Sequence, residues 1–426
     1  MITFYSHARC RATWSRSVGR SLVSFHFAFA LGLVASVSAA EPAPAPGAAA
    51  KVIDYKDPDY GSRVRHLRKE DGHEHNLYYH RDPWNADGSR LLGIHSDLQQ
   101  KNWKVVLYDG DGQFLKELFA IDKYDWRLVW DRNDAKVLYT WRGSALYRLD
   151  TDSGDARQLK SFAPLGLKPN GPSLNQAGDR ILVITSDNVF RSFRLPGMED
   201  ERTFMVPVPE GCFISWDKPA YTGCKNQIHV ALRSNDPSKV VLLVYEDTGK
   251  LVHRFAGIGG GGHYDFSPDG KLAYFKLPGS ARGGQATDLE IHVVNLDGTN
   301  DRVLYRATRA QAAYVQNLHL SWPDNVSDWF LASFFPTAGR LPAEYAAPLD
   351  EILMLKLDGT TRFLGRTGTA YSRAAGRGGA GDMFWAQPLA SPAADGRRVC
   401  FNSIRAGTID QHILYVEDKP AASPSR

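Results

Sequence analysis

The chain predicts an all-β fold, a seven-bladed β-propeller of four-stranded blades. Three observations carry this: a strand-turn-strand unit that recurs seven times, Asp-Gly turns between β-branched and aromatic runs, and almost no helical periodicity. The clearest copy reads HYDFSPDGKLAYFKL from His263, followed by LEIHVVNLDGTNDRVLY from Leu289. Others begin DPWNADGSRLLGIHSD at Asp82, WRLVWDRNDAKVLYTW at Trp126, PSLNQAGDRILVITS at Pro172, LHLSWPDNVSDWFLASF at Leu318 and PLASPAADGRRVCFNS at Pro388. A degenerate copy starts CFISWDKPAYTGCKNQIHVALRS at Cys212. The first turns fall near Gly88, Asp134, Gly178, Tyr221, Gly270, Asn325 and Gly396, roughly 40 to 70 residues apart, the spacing of four-stranded blades. One meander cannot bury both its faces, whereas blades stacked in a ring bury each other's.

The ring has to close. The seventh copy ends at its third strand, QHILYVED from Gln411, and only a short tail follows, taken as residues 419–426. The missing fourth strand has a candidate at the other end, SRVRHLRK at 62–69. The propeller is therefore expected over 62–418, closed by an N-terminal strand.

Before it come two segments. Residues 1–40 read as a signal peptide: Arg9, Arg11, Arg16 and Arg20, then an apolar run from Ser21 to Val37, then Ser38-Ala39-Ala40, with cleavage before Glu41. The rival reading is an uncleaved anchor; the run is short and contains His26. Residues 41–61, opening EPAPAPGAAA, are expected to form an extended tether. Export implies a periplasmic or secreted protein with no transmembrane segment after cleavage, expected to be a monomer.

Composition narrows the partners. With 43% hydrophobic and 23% charged residues the chain is globular, neither disordered nor membrane-embedded. Without the four arginines of the leader the formal charge falls from +4 to zero, so no electrostatic case exists for nucleic acid. Of the cysteines beyond the leader, Cys212 and Cys224 frame a loop-like stretch and are expected to pair in an oxidising compartment; Cys400, in an apolar run, reads as a buried thiol.

Chemistry is expected where the inner strands enter the channel. Counting back from each first turn gives Tyr79, His80 and Arg81, then Trp126, His263, Gln316 with His319, and Trp385 with Gln387. Imidazoles, a guanidinium, amides and indoles suit a polar or anionic sugar, and equally suit a channel that only holds water. His73-Glu74-His75 lacks the spacing of a zinc peptidase, and no GxSxG motif is present.

NLYYHRDPWNADGSRLL (76–92), GHYDFSPDG (262–270) and AQPLASPAADGRRVCFNS (386–403) resemble the oligogalacturonate lyases, and the wider group of periplasmic propellers that includes TolB. The resemblance implies a divalent metal, manganese, held at the channel by histidines and a glutamine. His263 matches one of those histidines; Gln387-Pro388-Leu389-Ala390 stands where two more would lie, so the metal set is incomplete and no cofactor is expected. It also implies β-elimination on acidic oligosaccharide; among the residues at the mouth, Arg81 is then the candidate that neutralises the uronate carboxylate and His263 or His80 the candidate base. The alternative is a non-enzymatic, TolB-like scaffold for an envelope protein. A mouth arginine makes few apolar contacts, so its loss is expected to leave stability little changed.

Overall fold

Seven antiparallel sheets follow one another along the chain, and the alternating residues of their middle strands show why they form a ring. In Arg180–Thr185 every side chain is buried. Ile181 and Val183 pack with Val137, Tyr139 and Phe193 on one side, while Leu182 and Ile184 pack with Val230, Leu232 and Leu243 on the other. A strand whose two faces enter two separate apolar clusters lies between two neighbours. Each buried Leu or Ile contributes about 1.5–3 kcal/mol relative to exposure, so stacking compensates for what a lone blade lacks. The outermost strands, such as Glu199–Met205, are largely exposed.

The computed structural model describes residues 52–67, 72–125, 127–167, 169–215, 220–258, 263–278, 287–336, 347–369 and 384–417. All belong to one compact unit, Ala45–Arg426. The signal-peptide span, the C-terminal tail and Trp126 lie outside the described residues. Helix among the described residues is confined to three short 3-10 turns, Ala163–Leu165, Pro237–Lys239 and Phe384–Ala386. None is long and apolar enough to cross a membrane.

The hairpin turns use glycine where the backbone demands it. Gly270 has φ +89° and Gly396 φ +71°, both in the left-handed region. At Gly396 a Cβ would also lie 2.6 Å from the Trp329 ring, so a side chain is excluded twice over.

The last sheet orders its strands Val52–Lys56, Arg63–Leu67, Asp410–Tyr415, Arg398–Ser403 and Ser391–Pro392. Val64 is opposite Leu414 and Leu67 opposite Gln411. The expected tether over 41–61 is corrected from residue 52 onward. Val52-Ile53-Asp54-Tyr55-Lys56 adds a fifth strand, because its β-prone residues can pair where the Pro/Ala run before them cannot. Asp54 there accepts from Arg63 and Arg65 at 2.7–3.2 Å, which holds its carboxyl down at about 2. Asp57 then anchors the chain to the sixth blade by accepting the Arg366 N–H (2.9 Å).

The expected Cys212–Cys224 bridge is a second correction: both thiols are free. Cys212 pairs with Ser234 at one end of Gln227–Ser234, whereas Tyr221, just before Cys224, pairs with Ile228 near the other. Six residues of strand separate those positions by roughly 20 Å, and a disulfide needs Cα atoms within about 7 Å.

Candidate active site

The first blade breaks its inner strand to build the site. Gly72–His75 pairs with Arg90–Asp97, the chain then leaves the sheet, and it returns at Trp84, opposite Leu91. The excursion, residues 76–83, crosses the ring and is fastened to several blades. Asn76 Nδ2 donates to the carbonyls of Leu389 (2.7 Å) and Cys400 (3.2 Å), and the Asn76 N–H donates to Asn402 Oδ1 (2.7 Å). Tyr124 Oη donates to the Asn76 carbonyl (2.8 Å), and Ser321 Oγ to the Tyr79 carbonyl (2.5 Å). Arg81 Nη1 reaches the Pro172 carbonyl (2.9 Å), while the Arg81 N–H closes a turn on Tyr78 O (2.8 Å). Tyr79, His80 and Arg81 thus sit in a turn inside the channel; the expectation that they enter it along a regular strand is corrected.

That turn lines a cavity of about 230 Å³ to which all seven blades contribute. Its rim is made by hairpin turns, among them Asn133, Gln176, Gly223, Pro268 and Asn325. The nearly buried Trp84, Trp130, Tyr264 and Trp322 also border it, and the charged or imidazole groups are His80, Arg81, Asp82, Arg132, Asp324, Asp265, Asp131 and His229.

Electrostatics sets the two groups of the turn apart. Burial, then the neighbouring Arg81 charge, holds the His80 imidazole well below its ordinary value, so it is neutral. Burial also lowers Arg81, to about 10, which leaves it fully cationic at neutral pH. Asp125 draws on the Arg81 charge but is itself clamped by Arg127 at 2.6–2.8 Å.

The remaining residues expected at the channel divide. His319 and His263 back the turn rather than line the cavity: Tyr79 stacks on His319 at 4.5 Å, and His319 lies 4.3 Å from His263. Tyr79 and His319 are 0% and 1% exposed, so this stack is core. His263 Nδ1 donates to the Leu318 carbonyl (2.8 Å), which puts the lone pair on Nε2. Trp385 stacks on Tyr124 at 4.2 Å. Gln387 is buried, and its carbonyl accepts from Asn402 Nδ2 (3.2 Å). Gln316 is exposed at a bulge in Val315–Ser321. Sequence reasoning missed Asp82, Arg132 and Asp324. Each flanks a first hairpin turn, a position that counting back toward strand entry passes over.

No protein-family model and no curated protein matches the sequence. Solved structures do. An oligogalacturonate lyase described in complex with manganese superposes with a TM-score of 0.63 at 15% identity, over 87% of this chain and 97% of that one. The oligogalacturonate lyase of Vibrio parahaemolyticus gives 0.61 at 14% identity, over 87% and 99%. The chain shares its fold with oligogalacturonate lyase.

The residues present do not fit the manganese of that lyase. Leu389 is fully buried against Tyr78 and Tyr79, and it offers no donor. His263 already commits one ring nitrogen, and among the described residues no three His, Cys, Asp or Glu groups converge as a metal-binding set. His73-Glu74-His75 lies on a strand, where Glu74 bonds His95 Nδ1 (3.2 Å) and His75 packs against Trp103 and Tyr124.

Proposed function

We propose that this chain is an exported propeller that binds acidic oligosaccharide in the cavity beneath its hairpin turns and cleaves it by β-elimination. One observation carries the reading: His80 and Arg81, consecutive in the chain, line the same cavity, one a neutral base and the other a retained cation. A uronate carboxylate paired with Arg81 has its C5 proton acidified, because the guanidinium stabilises negative charge that spreads onto the carboxylate as the proton leaves. A neutral imidazole beside it accepts that proton. The leader-like N-terminus supports export.

A scaffold for an envelope protein would have no need of perturbed titrating groups in its channel. The test is a panel of uronic-acid oligosaccharides with the purified protein, followed by calorimetry and by the ultraviolet absorbance of the unsaturated product. Binding with product formation is expected, and in Arg81→Ala product formation should be lost and binding weakened. Absence of binding to every acidic oligosaccharide would leave the scaffold reading as the better one.

A further inference from the structure

The elimination proposed above needs one more proton, for the glycosidic oxygen as its bond to C4 breaks. The residue after the base and the cation lines the same cavity: Asp82, half-buried, with one carboxyl oxygen accepting the Trp84 N–H (2.9 Å). A second carboxyl from the sixth blade, Asp324, lines that cavity too. Arg132, from the second blade, holds Asp324 at 2.7 Å. A carboxyl that shares a partly desolvated cavity with a second carboxyl is pressed to keep its proton. Burial first and Asp324 second raise the Asp82 carboxyl well above its ordinary range, with the Trp84 N–H and Arg132 opposing and Asp395 adding.

Resting on the elimination reading, we propose that Asp82 is the general acid of this site. His80 takes the C5 proton, the C5–H electron pair becomes the C4–C5 double bond, the C4–O bond breaks, and the Asp82 proton goes to the departing oxygen. Asp82 is left as carboxylate and His80 as imidazolium, and proton exchange with solvent resets both. Base and cation then lie in the turn closed by the Arg81 N–H to Tyr78 O bond, and the acid is the residue that follows it.

Two measurements test this on the whole protein. The first is the carboxyl carbon resonance of Asp82 in protein labelled with carbon-13 aspartate, assigned by its disappearance in Asp82→Asn. It should stand at the protonated position at neutral pH; an ionised Asp82 overturns the proposal whether or not the protein is a lyase. The second is turnover by Asp82→Asn, with a thermal melt as the folding control. On natural oligosaccharide kcat should fall by about 100-fold with KM little changed. On a uronate bearing a nitrophenyl ether at C4, whose nitrophenolate departs without protonation, turnover should stay near that of the unaltered protein. Equal losses on both substrates would overturn the acid role and leave elimination standing. No unsaturated product from the unaltered protein would overturn the elimination reading and the acid role together.

Discussion

The imidazoles of His66 and His412 lie face to face across the seam that closes the ring, their centroids 4.4 Å apart and their planes within 2°. They are cross-strand partners on Arg63–Leu67 and Asp410–Tyr415, the ladder that joins the N-terminal strand to the last blade. His66 Nε2 lies 3.1 Å from Asp410 Oδ2, and Asp410 also accepts from Thr408 Oγ1. Phe401 and Tyr55 wall in His412, Arg405 lies nearby, and the His412 Nδ1 is 3.1 Å from the Asp410 carbonyl.

This arrangement makes the fold acid-sensitive. Burial, then the facing His66, holds His412 well below its ordinary value, so the folded protein keeps it neutral. In the unfolded chain a histidine takes up a proton near pH 6.5, so the unfolded state binds more protons below that point. The stability that His412 contributes is complete above about pH 6.5 and is lost as pH falls toward its folded value, by up to about 1.4 kcal/mol per pH unit. His75 and His80 are held neutral by burial in the same sense and add to the slope. Denaturant midpoints measured between about pH 7.5 and about pH 5.5 should fall, and His412→Phe should remove close to one proton's share. An unchanged slope in that variant would show that the seam is not a sensor.

Ring closure predicts a core penalty at a position far in sequence from the blade it completes. Leu67 is 2% exposed and packs with Trp84, Leu91 and Ile413. Leu67→Ala should cost about 2–5 kcal/mol in chemical denaturation, as for any buried leucine. A cost close to zero would mean that the strand does not hold the ring.

Arg81 should matter to binding and to folding, which corrects the expectation that its loss leaves stability unchanged. Its side chain is 8% exposed and satisfies the Pro172 carbonyl. Arg81→Ala should weaken uronate binding by about 1–3 kcal/mol through loss of a charge-assisted bond. It should also lower stability by about 1–3 kcal/mol, because a buried carbonyl loses its donor. Calorimetry and denaturation together separate the two; full stability in the variant would contradict the bond across the ring.

Thiol chemistry should report two distinct environments. Cys212 and Cys224 are partly exposed and unpaired, so both should react with a water-soluble disulfide reagent in the folded protein. Cys400 is fully buried, its thiol accepts from Gln411 Nε2 (2.9 Å), and burial pushes its pKa up. It should react only on unfolding. Mass analysis showing Cys212 joined to Cys224 would refute the strand placement in the fourth blade.

What the sequence by itself determined is the local and the periodic. Strand-turn-strand spacing, Asp-Gly turns and β-branched runs are short-range properties, so the repeat around Gly88, Gly178, Gly270 and Gly396 was readable without coordinates. The truncated last repeat likewise pointed to 62–69 as its missing strand, although Val52–Lys56 lay hidden in what read as tether. What only the tertiary structure decided is where side chains from different blades meet. Residues 76–83 leave their strand because Asn76, Tyr79 and Arg81 find hydrogen-bond partners on the seventh, sixth and third blades. Those partners are 91 to 313 residues away, and no local pattern encodes them. For the same reason His263 and His319 become the backing of Tyr79, while Asp82, Arg132 and Asp324, unremarkable in their turns, converge on one cavity. Hydrogen-bond and charge complementarity across a closed ring depends on three-dimensional distance, which strand periodicity does not carry.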